Sequence, residues 1–297
     1  MVKSGVRLLT IILVCLTSQS CHEKISWDFP DFEPVPTVNS FIVAGKHIWI
    51  HVSLAGKFDT APIKPIENAT VELYVDGEYA ETLGYVGDSF YKSGIIAQTQ
   101  KEYMCKVIVP SFPIASSTCI IPNPENILGI EHINKAGVDE EGVPYPAVKV
   151  TFSNNPNALT YFEIVISLIR EEYISKPDLL NIIDPVLLNE GLPILVFSNE
   201  LLESESYTMT INYTTGGAEH TDQAGWQAQL YPIRVELRTV CHSYYRYARQ
   251  LYLYENSNDD PFLNSGILSS FQLYSNVDNG YGIFTGYSVV ESEIIYP

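Results

Sequence analysis

The chain is short of positive charge. Its 297 residues carry 17 Lys and Arg against 35 Asp and Glu, a formal net charge of −18. Such a surface repels phosphate backbones and argues against nucleic acid as a partner. The acidic residues are spread along the chain rather than gathered in a tail, as expected of charge that serves solubility. Long apolar runs are missing too. Leu8 to Leu16, interrupted by Thr10, is far shorter than the ~20 residues a spanning helix needs, and no later stretch reaches that length.

The familiar catalytic signatures are also absent. There is no Gly-x-Ser-x-Gly elbow, no His-Glu-x-x-His and no Walker loop. "GYGIFTG" does not open a helix, so its glycines are read as turns or close backbone approaches. His47 and His51 in "HIWIH" suggest a metal pair only if the segment is helical. On a strand they lie about 13 Å apart and cannot share one zinc ion at about 2.1 Å. No metal, cofactor or catalytic residue is expected, and the chain reads as a non-enzyme. Cysteines number five. Cys15 and Cys21 belong to the N-terminal segment, leaving Cys105, Cys119 and Cys241, an odd set that excludes a complete disulfide framework. Cys105 and Cys119 are a candidate pair in an oxidising compartment. The favoured alternative is three small buried apolar residues.

The N-terminus "MVKSGVRLLTIILVC" places Lys3 and Arg7 ahead of the short apolar run, the layout of a secretory signal. It leads into "LTSQSC". Ser18-Gln19-Ser20-Cys21 resembles the lipobox of bacterial lipoproteins, although Leu16 lies further from the cysteine than is usual. Residues 1–20 are expected to be a lipoprotein signal peptide, with Cys21 the lipidated first mature residue. Acyl chains hold a protein at a bilayer through about 0.8 kcal/mol per buried CH₂. His22 follows rather than an aspartate, so the inner-membrane retention pattern of enteric lipoproteins is absent. Residues 21–36, with the acidic, proline-rich "WDFPDFEPVP", read as an extended tether.

From Thr37 the pattern alternates. In "KHIWIHVSL", Ile48, Ile50, Val52 and Leu54 share one face of a half-buried strand. "NATVELYVDGEYAETL" brackets Asp76-Gly77, which supplies the positive φ angles of a type I′ hairpin. Repeated short strands with turn signals predict a mainly β protein of two β-sandwich, immunoglobulin- or fibronectin-III-like domains, 37–122 and 123–297. One helix is expected near residues 243–256, where Tyr244, Tyr247, Ala248, Leu251 and Tyr254 fall near one face and Ser243 caps the start. Trp27, Trp49 and Trp226 are candidate ligand contacts, since aromatic side chains dominate binding hot spots. For Trp49 and Trp226 partly buried packing is the favoured reading.

The lipobox cysteine, "NATVELYVDGEY", "FYKSG", "KEYMCKVIV", "YFEIVISL", the tyrosine-rich helix and the closing "YSNVDNGYGIF" together resemble a family of Bacteroidetes outer-membrane lipoproteins, that of domain of unknown function 4249. Ser275, Asn276, Gly280, Gly282 and Phe284 match its C-terminal motif. The resemblance implies an accessory lipoprotein at the outer membrane, on its surface or periplasmic face, beside a TonB-dependent receptor. It implies no catalytic residues. The expected function is a binding or accessory module for an unknown ligand. An adhesin or fimbria-like subunit is the alternative, and a hydrolase a weaker third.

Overall fold

The computed structural model describes residues 34–56, 66–222, 225–257 and 273–297. The signal segment, Cys21 and Trp27 lie outside them. The protein is mainly β, as expected. Its first strands are β1 (Pro36–Val43), β2 (His47–Leu54), β3 (Thr70–Val75), β4 (Glu78–Thr82), β5 (Gly84–Gly87), β6 (Phe90–Ile96), β7 (Glu102–Ile108) and β8 (Ala115–Ile120). Next come β9 (Ile127–Val138), β10 (Pro144–Ser153), β11 (Tyr161–Ile169), β12 (Ile174–Ser175) and β13 (Asp178–Leu179), then helix α1 (Pro185–Glu190). The chain closes with β14 (Val196–Ser198), β15 (Ser206–Thr214), β16 (Ala218–Thr221), β17 (Gly225–Ala228), β18 (Ile233–Val240), helix α2 (His242–Ser257) and β19 (Tyr281–Glu291).

One long sheet organises the rest. Its order is β12-β11-β18-β19-β1-β2-β6-β5, with β14 also paired to β11. Two four-stranded sheets, β4-β3-β7-β8 and β13-β15-β10-β9, supply the opposing layers. Alternation makes this possible. In β2, Ile48, Ile50 and Val52 are fully buried while His47 and Trp49 point away, because successive side chains on a strand face opposite ways. These residues meet Val71, Leu73, Cys105 and Val107 in a first core that Val277 and Phe284 complete. A second core gathers β10, β11, β15, β18 and α1. At its centre Phe152, Phe162 and Phe197 pack with ring centroids 5.3–5.8 Å apart. Each such fully buried side chain contributes about 1.5–3 kcal/mol. The two sides of position 122 thus share one sheet, and Val277 and Phe284 from the second side complete the first core.

Local signals explain several joints. Asp76 and Gly77 have φ of 51° and 82° and form the expected two-residue hairpin between β3 and β4. In α1, the Asp184 side chain accepts the Val186 N–H, Pro185 occupies the first turn and Gly191 ends the helix at φ 73°. The expected strands in "AVKVTFSNNPNALTYFEIVISLI" both form, but they do not pair. β10 bonds to β9 and β15, while β11 bonds to β12, β14 and β18. A buried asparagine pair fixes the crossing between layers. Asn199 Nδ2 donates to Asn154 Oδ1 at 2.8 Å, and Asn154 Nδ2 donates to the Ser204 carbonyl at 2.7 Å.

Candidate functional site

Helix α2 crosses the outer face of the shared sheet and leaves a groove beside it. The groove encloses ≈ 460 Å³, and its walls include Phe41, Glu163, Val165, Arg238, Tyr247 and Leu251. Such a volume suits a small ligand. Tyr244, Tyr247, Ala248 and Leu251 line it, the apolar stripe expected from the sequence, whereas Tyr254 is 38% exposed. Phe41 meets the rings of Tyr244 and Tyr247 edge-on at 5.8 and 5.7 Å. Lys176 and Glu255 are exposed lining residues.

Two polar knots hold the helix down. In the first, Arg238 donates to Glu163 at 2.8 Å and to Glu236 at 2.6 Å, while Tyr244 donates to Glu163 at 2.6 Å. Burial works against the Arg238 charge, but Glu163, Tyr287, Tyr244 and Glu236 together more than offset it, so its pKa lies above the ordinary guanidinium value. Burial, and then Glu163, push the Tyr244 hydroxyl far above the ordinary phenol range. Neither group changes charge near neutral pH. In the second knot, Glu190 at the end of α1 accepts from Arg249, Tyr245 and the Ser198 N–H at 2.6, 2.6 and 2.7 Å. Burial and the Glu190 bond raise the Tyr245 pKa. The groove thus combines a fixed charged floor with aromatic and aliphatic walls. What it offers a ligand is shape, ring faces and a preset field.

Ser243 departs from its expected role. It is the second helical residue, and its hydroxyl pairs with Thr285 Oγ1 at 2.9 Å and Cys241 Sγ at 3.1 Å. The first turn is closed by the Tyr245 N–H bonding to the Cys241 carbonyl. Trp49 and Trp226 are each 45% exposed. Trp49 sits on β2 with Phe90 at 6.3 Å and the Lys92 ammonium 5.0 Å above its ring. Trp226 sits on β17 against His220. The two share neither a sheet nor a ring contact among the described residues, so they do not form one site. Among the same residues, no group of three or more His, Cys, Asp or Glu is placed to hold a metal.

The C-terminal motif closes the fold. β19 runs parallel to β1, with Val38 opposite Gly282. A Cβ on Gly282 would lie 2.1 Å from the Val38 carbonyl oxygen, and one on Gly280 2.6 Å from that of Pro36. Asn276 clamps the strand: its Oδ1 accepts the Phe284 N–H at 2.9 Å and its Nδ2 donates to the Phe284 carbonyl at 2.8 Å. Ser275 Oγ accepts the Val277 N–H at 3.4 Å, and Phe284 is fully buried in the first core.

A family model described as domain of unknown function (DUF4249) matches residues 22–293. The chain belongs to the DUF4249 family. No curated protein matches it. In this DUF4249 chain the matched span takes in the groove, both polar knots and the β19 motif. The knots escape sequence reading because their partners are far apart: Glu163 and Tyr244 are separated by 81 positions. A usable signal was nonetheless present in "IRVELRTV". There Arg234, Glu236 and Arg238 share one strand face, a charged row that a tyrosine-striped helix can cover.

Proposed function

We propose that this DUF4249 protein is a non-enzymatic lipoprotein, tethered through Cys21 to the bacterial outer membrane. There it acts as an accessory or ligand-binding module beside a TonB-dependent receptor in nutrient uptake. The observation that carries the binding role is the groove along α2. It is large enough for a small molecule, walled by aromatic rings and flanked by a helix that two part-buried polar knots hold in place. The "LTSQSC" segment and the family resemblance support the tether and the neighbourhood. No helix among the described residues is long and apolar enough to cross a membrane, so on this reading attachment falls to the lipid.

Metabolic labelling with a clickable palmitate tests the tether. Wild type is expected to carry label and Cys21→Ala none; an unlabelled wild type removes the model. Affinity purification from native membranes in gentle detergent is expected to recover a TonB-dependent receptor. Recovery of no outer-membrane protein overturns the partnership. Protease treatment of intact cells then assigns the membrane face.

A further inference from the structure

Cys119 and Cys241 meet where the first core adjoins α2. Cys119 lies on β8, Cys241 immediately precedes α2, and 122 positions separate them, yet their sulfurs are 3.4 Å apart. Both are free thiols, as is Cys105. The pairing suggested by nearness in the chain does not form: Cys105 stands opposite Ser117, and Cys119 opposite Tyr103. Cys105 is fully buried in the first core, and burial pushes its thiol up to about 12. Cys119, which is buried, and Cys241, which is partly exposed, instead line a cleft of ≈ 580 Å³ with Tyr161, His242 and Asn276.

We infer that Cys119 and Cys241 are a disulfide-forming pair, a covalent modification site that joins β8 to the start of α2. The surroundings of Cys241 favour its thiolate. Thr285 and Ser243 hydroxyls lie 2.9 and 3.1 Å from its sulfur, and the Gly286 N–H donates to it at 3.4 Å. The Cys119 hydrogen bond is the largest influence and lowers the Cys241 pKa, against the opposing effect of burial. The same bond, with burial, raises that of Cys119. Cys241 is therefore the attacking sulfur.

The oxidant required is a small-molecule or enzymatic disulfide, available in oxidising compartments. Cys241 thiolate attacks one sulfur of R–S–S–R, breaking that bond and releasing RS⁻. The leaving RS⁻ takes the Cys119 proton. Cys119 then attacks Cys241 Sγ and releases the second RS⁻, which is protonated from solvent. Two protein thiols are oxidised and one oxidant disulfide is reduced to two thiols. Closure brings the sulfurs from contact to about 2.05 Å, a movement of about 1.4 Å shared by two side chains.

The test equilibrates the full chain with oxidised glutathione, blocks remaining thiols by alkylation, and maps peptides without reductant. The expected result is a Cys119-peptide linked to the Cys241-peptide, with Cys105 alkylated. Cys105→Ser retains the crosslink, whereas Cys119→Ser and Cys241→Ser abolish it. Both cysteines recovered as alkylated thiols in wild type would overturn the inference, as would a Cys105–Cys119 link or stable glutathione on Cys241 beside a free Cys119. Because the oxidant is supplied in vitro, the outcome does not depend on the proposed membrane role.

Discussion

Replacing Gly282 by alanine places a methyl where β19 runs against β1. The new Cβ would meet the Val38 carbonyl oxygen at 2.1 Å and carbon at 2.8 Å, with Asn39 Oδ1 at 2.9 Å. The first two are backbone atoms, so no flexible side-chain end can yield, and relief requires the strands to part by roughly 1 Å, given normal carbon–oxygen contacts above about 3 Å. Gly282 also has φ of 113°, where a side chain adds about 1–3 kcal/mol of backbone strain. Parting the strands weakens the neighbouring ladder and the Ile283 N–H bond to Asn39 Oδ1, at about 1 kcal/mol per hydrogen bond. Together these give a loss of about 3–5 kcal/mol, a large part of the roughly 5–15 kcal/mol that holds a domain folded. Urea unfolding of the full chain in reducing buffer reads this directly. Gly129→Ala is the control: its Cβ would meet nothing within 4 Å, and its effect should stay within about 0.5 kcal/mol. A Gly282→Ala loss below about 1 kcal/mol would refute the close-approach reading of the motif.

Three further predictions rest on other joints. Asp184→Ala removes both the cap on Val186 N–H and the acceptor for Tyr207, and should cost about 1–3 kcal/mol, with Asp184→Asn retaining most of the cap; equal thermal shifts for the two variants would count against capping. Glu190→Ala strips a side chain only 5% exposed from Arg249 and should cost about 3–5 kcal/mol. Faster hydrogen exchange in α2 should accompany it, and unchanged exchange would mean the knot does not hold the helix. In reduced protein, iodoacetamide should modify Cys241 with a pH midpoint below the ordinary thiol value of about 8.5. Its lowered pKa means that its contribution to stability is present above the unfolded value and fades as pH falls through the folded one. A midpoint at or above about 8.5 would contradict the thiolate nest.

Local chemistry was legible where partners are neighbours in the chain. The alternation of β2, the Asp76-Gly77 turn and the helix over Tyr244–Leu251 follow from spacing alone. The α1 helix was missed although Asp184-Pro185 and Gly191 bracket it, because six residues give too short a period to stand out. β9 was missed for a different reason: none of its twelve residues is buried, so it shows no regular apolar alternation. The groove was illegible because its floor joins Glu163, Arg238 and Tyr244 from two strands and a helix. Trp49 and Trp226, chosen for residue type, lie outside its lining. Ser243 has the chemistry of a cap, yet Thr285, 42 positions away, engages its hydroxyl.

The pairing of β1 with β19 also sets an order of events. Asn39 waits for Ile283, 244 positions later, and the first core lacks Phe284 until then. A chain emerging from its amino end can form the β3–β4 hairpin at once, but the centre of its main sheet stays open until the last strand arrives. Contacts this distant slow folding. They also leave the growing chain extended and unlocked until β19 has been made.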